Sequence, residues 1–317
     1  MMLGKMLANG VGGLGMASLR GWLFAQLMKW RNIKHMFADP AETAQIIEQC
    51  RQSNAQPYVL PAVTFKSRVE RTLVGGMDAV VISSATPSGQ VIWYLHGGAY
   101  IFQAAEFHWQ FLDQLVQRTH ATVIASNYPL APNAQAGEVI PALRTVYQAI
   151  LERAPAAQIV IAGDSAGGGL ALACAQDLRD HGLPQPAHVC LLSPWLDIGL
   201  HNPAAETLAE RDVLLGIPGL KLAGQHWAGQ LDKRHPWVSP LFGDLHGLAP
   251  LAMWVGTHEI FLPDVQELRM KAEAATVLAH YVEAPGMFHA YQIFPVPEAK
   301  VVTAYLHGLC AQLRMAQ

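Results

Sequence analysis

The chain has little charge and few cysteines, and each shortage argues against a class of protein. Only 14% of its 317 residues are charged, and the formal net charge is −3. Disordered chains and nucleic-acid-binding proteins carry more charge, so we expect a folded chain that binds no nucleic acid. The four cysteines form no C-x-x-C pair. This argues against a disulfide scaffold or a zinc ribbon and favours a reducing, cytoplasmic location.

Long apolar runs are also missing. No stretch has the length and purity of a transmembrane span, and the apolar N-terminal stretch is interrupted by Gly10, Gly12, Gly13 and Gly15. The sequence therefore predicts neither a transmembrane helix nor a cleavable signal peptide. Residues 19–36 instead predict an amphipathic helix that packs on the rest of the protein. A weak contact of this helix with a membrane surface is left open.

The chain does contain an alternation of strand-like and helical segments. Residues 58–84 alternate around a Gly75-Gly76 turn, which predicts an antiparallel hairpin or meander. Beyond it we predict strands at 91–95, 122–126, 159–162, 188–192, 251–255 and 278–283, and helices at 109–119, 140–153, 165–181, 264–275 and 299–315. Continuous apolar strands between helices are typical of an α/β fold with a mostly parallel sheet flanked by helices.

One stretch breaks this alternation. Residues 195–237 are helical and irregular, with no clear strand. We predict that this insertion joins the N-terminal helical segment, residues 1–52, in a cap over the carboxyl edge of the sheet. The core would then comprise residues 53–194 and 238–317.

The strongest motif is Gly163-Asp164-Ser165-Ala166-Gly167, which has the form G-x-S-x-G. It follows a predicted strand directly and opens a helix of small residues, as a nucleophile elbow does. The sharp turn requires small neighbours on either side of the serine, and the two glycines satisfy this requirement. We therefore predict Ser165 as the nucleophile.

A second motif, H-G-G-A-Y at residues 96–100, follows the strand predicted at 91–95. Glycines let the backbone approach a substrate closely. Fixed backbone N–H groups can stabilise the negative charge of a tetrahedral intermediate. We predict an oxyanion hole formed by the N–H groups of Gly97, Gly98 and Ala166.

A serine hydroxyl needs a base, and the chain order expected with such an elbow is serine, acid, histidine. His289 lies between the last predicted strand and the last helix, so we predict it as the base. Two carboxylates after the preceding strand compete as the acid. Glu259 lies nearer to the strand end and is favoured, whereas Asp264 precedes a helix that it could cap and stays open as the alternative acid.

Aromatic residues near these segments are candidates for the wall of an apolar substrate pocket, although several should simply pack in the core. They are Tyr100, Phe102, Trp195, Phe261 and Phe288. The predicted chemistry needs no metal or cofactor, and no metal-ligand spacing is visible in the sequence.

Together the motifs resemble the hormone-sensitive-lipase family of α/β-hydrolases, especially its bacterial carboxylesterases. The matching segments are H-G-G-A-Y at 96–100, Y-P-L-A-P at 128–132, G-D-S-A-G-G at 163–168, S-P-W-L-D at 193–197 and G-M-F-H at 286–289. The resemblance implies an α/β-hydrolase fold with a helical cap. It also implies a serine carboxylesterase that hydrolyses short- to medium-chain acyl esters by a Ser-His-Glu triad, through an acyl-enzyme.

The chain departs from this family at two places. Glu259 stands where the family usually has Asp. Pro129 and Asn133 stand where it usually has Arg and Glu, which removes an ion pair that could brace the loop near the pocket.

The sequence leaves some alternatives open. A lactonase or an amidase would use the same triad on a small-molecule substrate. A small-molecule receptor on a disabled hydrolase fold would lack a triad member, so it ranks lower. A homodimer is neither predicted nor excluded.

Overall fold

The computed structural model describes residues 17–315, and its centre is an eight-stranded sheet. The strands are β1 (Arg68–Val74), β2 (Met77–Ser83), β3 (Val91–Leu95), β4 (Thr122–Ser126), β5 (Ile159–Asp164), β6 (His188–Leu192), β7 (Leu251–Gly256) and β8 (Leu278–Ala284). They lie in the order β1-β2-β4-β3-β5-β6-β7-β8. Strand β2 is antiparallel to both of its neighbours, and every other neighbouring pair is parallel. The predicted α/β fold with a mostly parallel sheet is confirmed.

Helices cover both faces of this sheet. They are α1 (Leu19–Trp30), α2 (His35–Ala38), α3 (Pro40–Asn54), α4 (Glu106–Thr119), α5 (Ala136–Leu151), α6 (Ala166–Asp180), α7 (Ala204–Ala209), α8 (Ile217–Ala228), α9 (Leu262–Ala274) and α10 (Lys300–Met315). Because successive side chains of a strand point to opposite faces, Trp93 and Tyr94 of β3 belong to two different hydrophobic clusters. Burial on both faces explains why β3 and β7 are continuously apolar and fully covered.

The structure corrects several predicted boundaries. The single helix predicted at 19–36 is wrong, because α1 ends at Trp30 and α2 begins at His35. Asn32, in the turn between them, has a φ of 52°, which a continuous helix does not allow. The hairpin predicted within 58–84 is confirmed, but its first strand begins only at Arg68.

Helices α4 and α5 begin before their predicted first residues. In each helix a polar cap precedes the apolar pattern from which the start was predicted. The Ala105 N–H donates to His108 Nδ1, and the Gln135 N–H donates to Glu138 Oε2. Such caps satisfy backbone donors that the helix itself leaves free.

The N-terminal helices pack against the segment predicted as the cap insertion. Helices α2 and α3 contact α8, and Lys34 Nζ donates to the carbonyl oxygens of Ala209 and Asp212. Thr43 of α3 lies very close to Gly219 of α8. A Cβ atom at position 219 would collide with the Thr43 hydroxyl. These contacts support the predicted cap, and the division of the chain into cap and core stays a prediction.

Two expectations concern the N-terminus. The predicted absence of a signal peptide depends on residues 1–16, which lie outside the described residues. Between residues 17 and 315, none of the helices combines the length and the apolar composition needed to cross a bilayer.

Candidate active site

Ser165 occupies a sharp turn between β5 and α6. Its backbone φ of 53° and ψ of −122° are unfavourable for a residue with a side chain. The turn is tight because a Cβ at Gly163 would collide with the carbonyl of Gly167, and a Cβ at Gly167 with the carbonyl of Leu95. The strand, turn and helix expected around the G-x-S-x-G motif are therefore all present, and they present Ser165 at the carboxyl end of a central strand.

His289 lies between Ser165 and Glu259. Its Nε2 is 2.8 Å from Ser165 Oγ, and its Nδ1 is 2.6 Å from Glu259 Oε2. Ser165, His289 and Glu259 are 8%, 5% and 0% exposed. The structure thus brings together the three predicted residues in one buried chain of hydrogen bonds.

Glu259 is fixed by two further donors. Its Oε1 accepts hydrogen bonds from Ser193 Oγ at 2.7 Å and from the Gly256 N–H at 2.5 Å. Ser193 comes from the S-P-W-L-D segment after β6, so a neighbouring strand end holds the carboxylate in place. Together with the contact to His289, these hydrogen bonds fix the orientation of the Glu259 carboxylate.

The electrostatic surroundings favour the protonated form of His289. Burial lowers the pKa of His289, whereas the Glu259 carboxylate raises it through its charge and its hydrogen bond. The charges of Asp212 and Asp164 add to the increase, and the pKa of His289 lies above the ordinary imidazole value. A base with this environment readily accepts a proton from a serine hydroxyl.

Asp264, the alternative acid, lies in the first turn of α9 and is 2% exposed. Burial raises its pKa to about 7, and the charges of Asp197 and Glu267 add to the increase. Among residues 17–315 it has no hydrogen bond to His289 or to any other side chain. The structure therefore favours Glu259.

The backbone loop after β3 lies beside the elbow, but its N–H groups differ in their partners. The Gly97 N–H donates to Asp164 Oδ1 at 3.0 Å and is therefore not free, contrary to expectation. The N–H groups of Gly98 and Ala166 have no acceptor among residues 17–315. The Ala99 N–H, which sequence reasoning missed, is also without an acceptor in this range and follows Gly98 in a positive-φ run.

Asp164 was not singled out by the sequence, although it is the residue before Ser165 in the motif. Its carboxylate accepts hydrogen bonds from Tyr94 Oη at 2.6 Å, from the Gly97 N–H, and from His108 Nε2 at 3.3 Å. Burial raises the pKa of Asp164, but His108 and the hydrogen-bond donors lower it by a larger amount. The pKa of Asp164 therefore lies below its usual value. One buried carboxylate thus joins the elbow, the loop after β3 and helix α4.

Asp212 is a second buried carboxylate that sequence reasoning missed. It lies in the 195–237 segment and accepts hydrogen bonds from the N–H groups of Leu214, Leu215 and Ile260. Since Ile260 directly follows Glu259, this carboxylate attaches the predicted cap to the loop that carries the acid. Its only sequence signal is an Asp directly before the apolar residues 213–215.

Three of the five predicted pocket aromatics form one stack beside the histidine. The rings of Tyr100 and Trp195 lie 5.6 Å apart, those of Trp195 and Phe261 5.9 Å apart, and Phe261 meets His289 edge-on at 5.0 Å. Trp227 of α8 extends the stack on the other side of Tyr100 at 4.3 Å.

The other two predicted aromatics face the N-terminal helices. Phe288 stacks on Phe24 of α1 at 5.5 Å, and Phe102 packs edge-on against Phe37 of α2 at 6.2 Å. Phe288 is fully buried and Phe102 partly buried. These two therefore connect the candidate site to α1 and α2.

Asn133, one of the positions that depart from the family pattern, is held by a hydrogen bond to an N-terminal helix. Asn133 Nδ2 donates to the carbonyl oxygen of Arg51 in α3 at 3.0 Å. Nearby, Tyr128 Oη donates to the carbonyl oxygen of His96 at 2.6 Å. The loop after β4 is thus tied both to the N-terminal helices and to the H-G-G segment.

The fold and the elbow define the class of protein, and comparison with known proteins agrees. A family model described as an alpha/beta hydrolase fold matches residues 92–293, more than half of the chain. An esterase of Acinetobacter venetianus is 36% identical over 235 residues, which are 73% of this chain and 78% of that protein. An acetyl-hydrolase of Streptomyces hygroscopicus is 34% identical over 230 residues, 72% of this chain and 77% of that protein.

Solved structures give the more particular assignment. The crystal structure of a hormone-sensitive lipase from a metagenome library superposes with a TM-score of 0.81 at 29% identity, covering 94% of this chain and 99% of that one. This chain belongs to the hormone-sensitive-lipase family of α/β-hydrolases, and the resemblance inferred from its motifs is confirmed.

Proposed function

We propose that this enzyme is a carboxylesterase in which Ser165 attacks the acyl carbon of an ester. The observation that carries the proposal is the buried hydrogen-bond chain from Ser165 Oγ through His289 to Glu259. Relatives named esterase and acetyl-hydrolase support carboxylic ester hydrolysis as the reaction. In the first step His289 Nε2 takes the hydroxyl proton, while Glu259 holds the ring orientation and stabilises the imidazolium.

The attack moves negative charge to the former carbonyl oxygen. Free backbone N–H groups beside the nucleophile stabilise that charge. The N–H groups of Gly98 and Ala166 serve as donors, and the Ala99 N–H replaces that of Gly97, which Asp164 occupies. Asp164 holds the donor loop against the elbow, so it acts as a positioning residue.

The imidazolium then returns its proton to the leaving alcohol, and the acyl-enzyme forms as the ester bond breaks. Water attacks this acyl-enzyme with His289 again as the base, which releases the acid and restores the serine. The groups named above are sufficient for both halves of the reaction.

The surroundings of His289 favour a short to medium acyl chain. Trp195 and Phe261 are fully buried and close one side of the site, with the Phe261 ring against His289. A relative at 34% identity is named an acetyl-hydrolase, which supports a small acyl group.

Hydrolysis of p-nitrophenyl esters of graded acyl length tests this proposal. We expect activity on short acyl groups that falls as the chain lengthens, and a loss of at least about 10³-fold in Ser165→Ala. Phenyl lactones and anilides measured alongside would reveal a lactonase or an amidase. A folded enzyme with no activity on any ester, or an active Ser165→Ala variant, would overturn the proposal.

A further inference from the structure

The outward face of α1 is mostly apolar, with Gln26 as its polar residue, and nothing else within residues 17–315 covers it. Five large apolar side chains of this helix are exposed by 40–80%: Leu19, Trp22, Leu23, Leu27 and Trp30. They fall on one face at helical spacing. The opposite face, with Phe24 and Met28, packs on the protein. A helix that is apolar on both faces is normally buried all round, so this exposed stripe indicates an interaction surface.

Basic residues border this stripe. Helical spacing places Arg20 at one edge and Lys29 at the other, and both are exposed. The first acidic residue of the sequence is Asp39, after α1 and α2. Exposed tryptophans and leucines between cations are typical of helices that lie in the headgroup region of a bilayer.

A basic groove continues the surface from α1. A cavity of about 220 Å³ is lined by Arg20, Arg118 of α4 and Lys300 of α10, together with Gln114 and Thr303. No carboxylate oxygen lies within 4.0 Å of any of the three cations in the part of the chain that the structure describes. Three cations without acidic partners beside an apolar stripe are complementary to an anionic headgroup above acyl chains.

We propose that the exposed face of α1 and the groove of Arg20, Arg118 and Lys300 dock on the surface of an anionic lipid bilayer. Trp22 and Trp30 enter the interfacial layer, and a lipid phosphate is held in the groove. A second copy of this chain fits the same surface less well. In a two-fold contact that surface meets itself, which would bring the two unpaired cationic grooves together.

This surface is attached to the candidate active site. Phe24 of α1 stacks on Phe288, the residue before His289. The Ser18 N–H at the start of α1 donates to Glu298 Oε1 at 2.6 Å, farther along the same loop. In the docked protein, α1 would therefore lie between the lipid surface and the loop that carries His289. The proposal does not rest on the catalytic one, because vesicle binding is measured without substrate.

Co-sedimentation of the full chain with vesicles tests the proposal. Vesicles of phosphatidylcholine alone are compared with vesicles of phosphatidylcholine and phosphatidylglycerol. The apolar variant is Trp22→Ser with Trp30→Ser, and the charge variant is Arg118→Gln with Lys300→Gln. The matched control is Leu73→Ser with Met270→Ser, because these side chains are 64% and 62% exposed on β1 and α9.

We expect the wild type and the control to bind the phosphatidylglycerol vesicles and to bind pure phosphatidylcholine more weakly. The tryptophan variant should lose at least about tenfold in binding, and the charge variant about fivefold per cation removed. Hydrolysis of a water-soluble ester should be unchanged in the tryptophan variant. Absence of vesicle binding by the wild type, or equal binding by the tryptophan variant, would overturn the proposal. So would a dimer in sedimentation velocity that the tryptophan variant dissociates, because the face would then belong to a second copy.

Discussion

Glu259 and Asp264 follow the same strand, and both are buried, yet their surroundings differ completely. Glu259 accepts hydrogen bonds from Ser193, Gly256 and His289. Asp264 receives none from side chains between residues 17 and 315, and burial raises its pKa to about 7. The comparison shows that the position of a carboxylate along the chain does not define its role. Donors from other strand ends hold the Glu259 carboxylate in place and aim it at the base, whereas burial without side-chain donors favours a neutral Asp264.

The sharpest test of this comparison is to remove the charge from each carboxylate in turn. In Glu259→Gln the histidine loses the partner that fixes its tautomer, so kcat on a p-nitrophenyl ester should fall by about 10³–10⁴-fold. In Asp264→Asn kcat should change by less than about tenfold. Circular dichroism of both variants controls for folding. A larger loss of kcat in Asp264→Asn than in Glu259→Gln would make Asp264 the acid of the triad.

The stability of Asp264→Asn should depend on pH. The folded pKa of Asp264 is raised from 3.8 to about 7, so ionisation destabilises the native state progressively from pH 4 to about pH 7. Asp264→Asn should therefore match the wild type below pH 4 and exceed it above pH 7, by up to roughly 4 kcal/mol in the free energy of unfolding. Urea unfolding across this range measures the difference. A constant difference would show that Asp264 does not titrate there.

Ser193→Ala should weaken the support of Glu259 without removing the charge. It deletes the 2.7 Å hydrogen bond from Ser193 Oγ to Glu259 Oε1. Since a hydrogen bond to a charged group contributes about 1.5–3 kcal/mol, kcat should fall by roughly 10- to 100-fold. Ser193→Cys, which keeps a donor of similar size without adding a branch at this buried position of positive φ, is the matched control and should retain more activity. Equal losses in both variants would point to packing instead.

The pH profile gives the smallest expected effect. His289 must be neutral to act as a base, and its pKa is raised above the usual value by Glu259, Asp212 and Asp164. The acidic limb of kcat/KM should therefore lie above about pH 6.5. In Glu259→Gln the residual activity should show this limb at a lower pH. An unshifted limb in that variant would assign it to another group.

What could be predicted from the sequence depended on neighbours along the chain. The elbow at Ser165 was predictable because its strand, its glycines and its helix are contiguous. The choice of His289 followed from its place after the last strand. The preference for Glu259 over Asp264 rested on distance from a strand end, and the structure supplies its physical reason in Ser193, which is 66 residues away.

What could not be predicted depends on partners far apart in the sequence. The Gly97 N–H is lost to Asp164, 67 residues later, and no local pattern signals that contact. The link from Asp212 to the backbone after Glu259 spans 48 residues. The break between α1 and α2 escaped the helical pattern because a single left-handed Asn32 interrupts it.

Covalent labelling of Ser165 tests the central claim most directly. Diethyl p-nitrophenyl phosphate phosphorylates an activated serine and releases p-nitrophenol. We predict one diethyl phosphoryl group per chain by intact-protein mass, located on Ser165 by peptide mapping, with loss of esterase activity in proportion to labelling. Labelling should be absent in Ser165→Ala and slow in Glu259→Gln. Full inactivation with the label on another residue, or an active enzyme that remains unlabelled, would contradict the account.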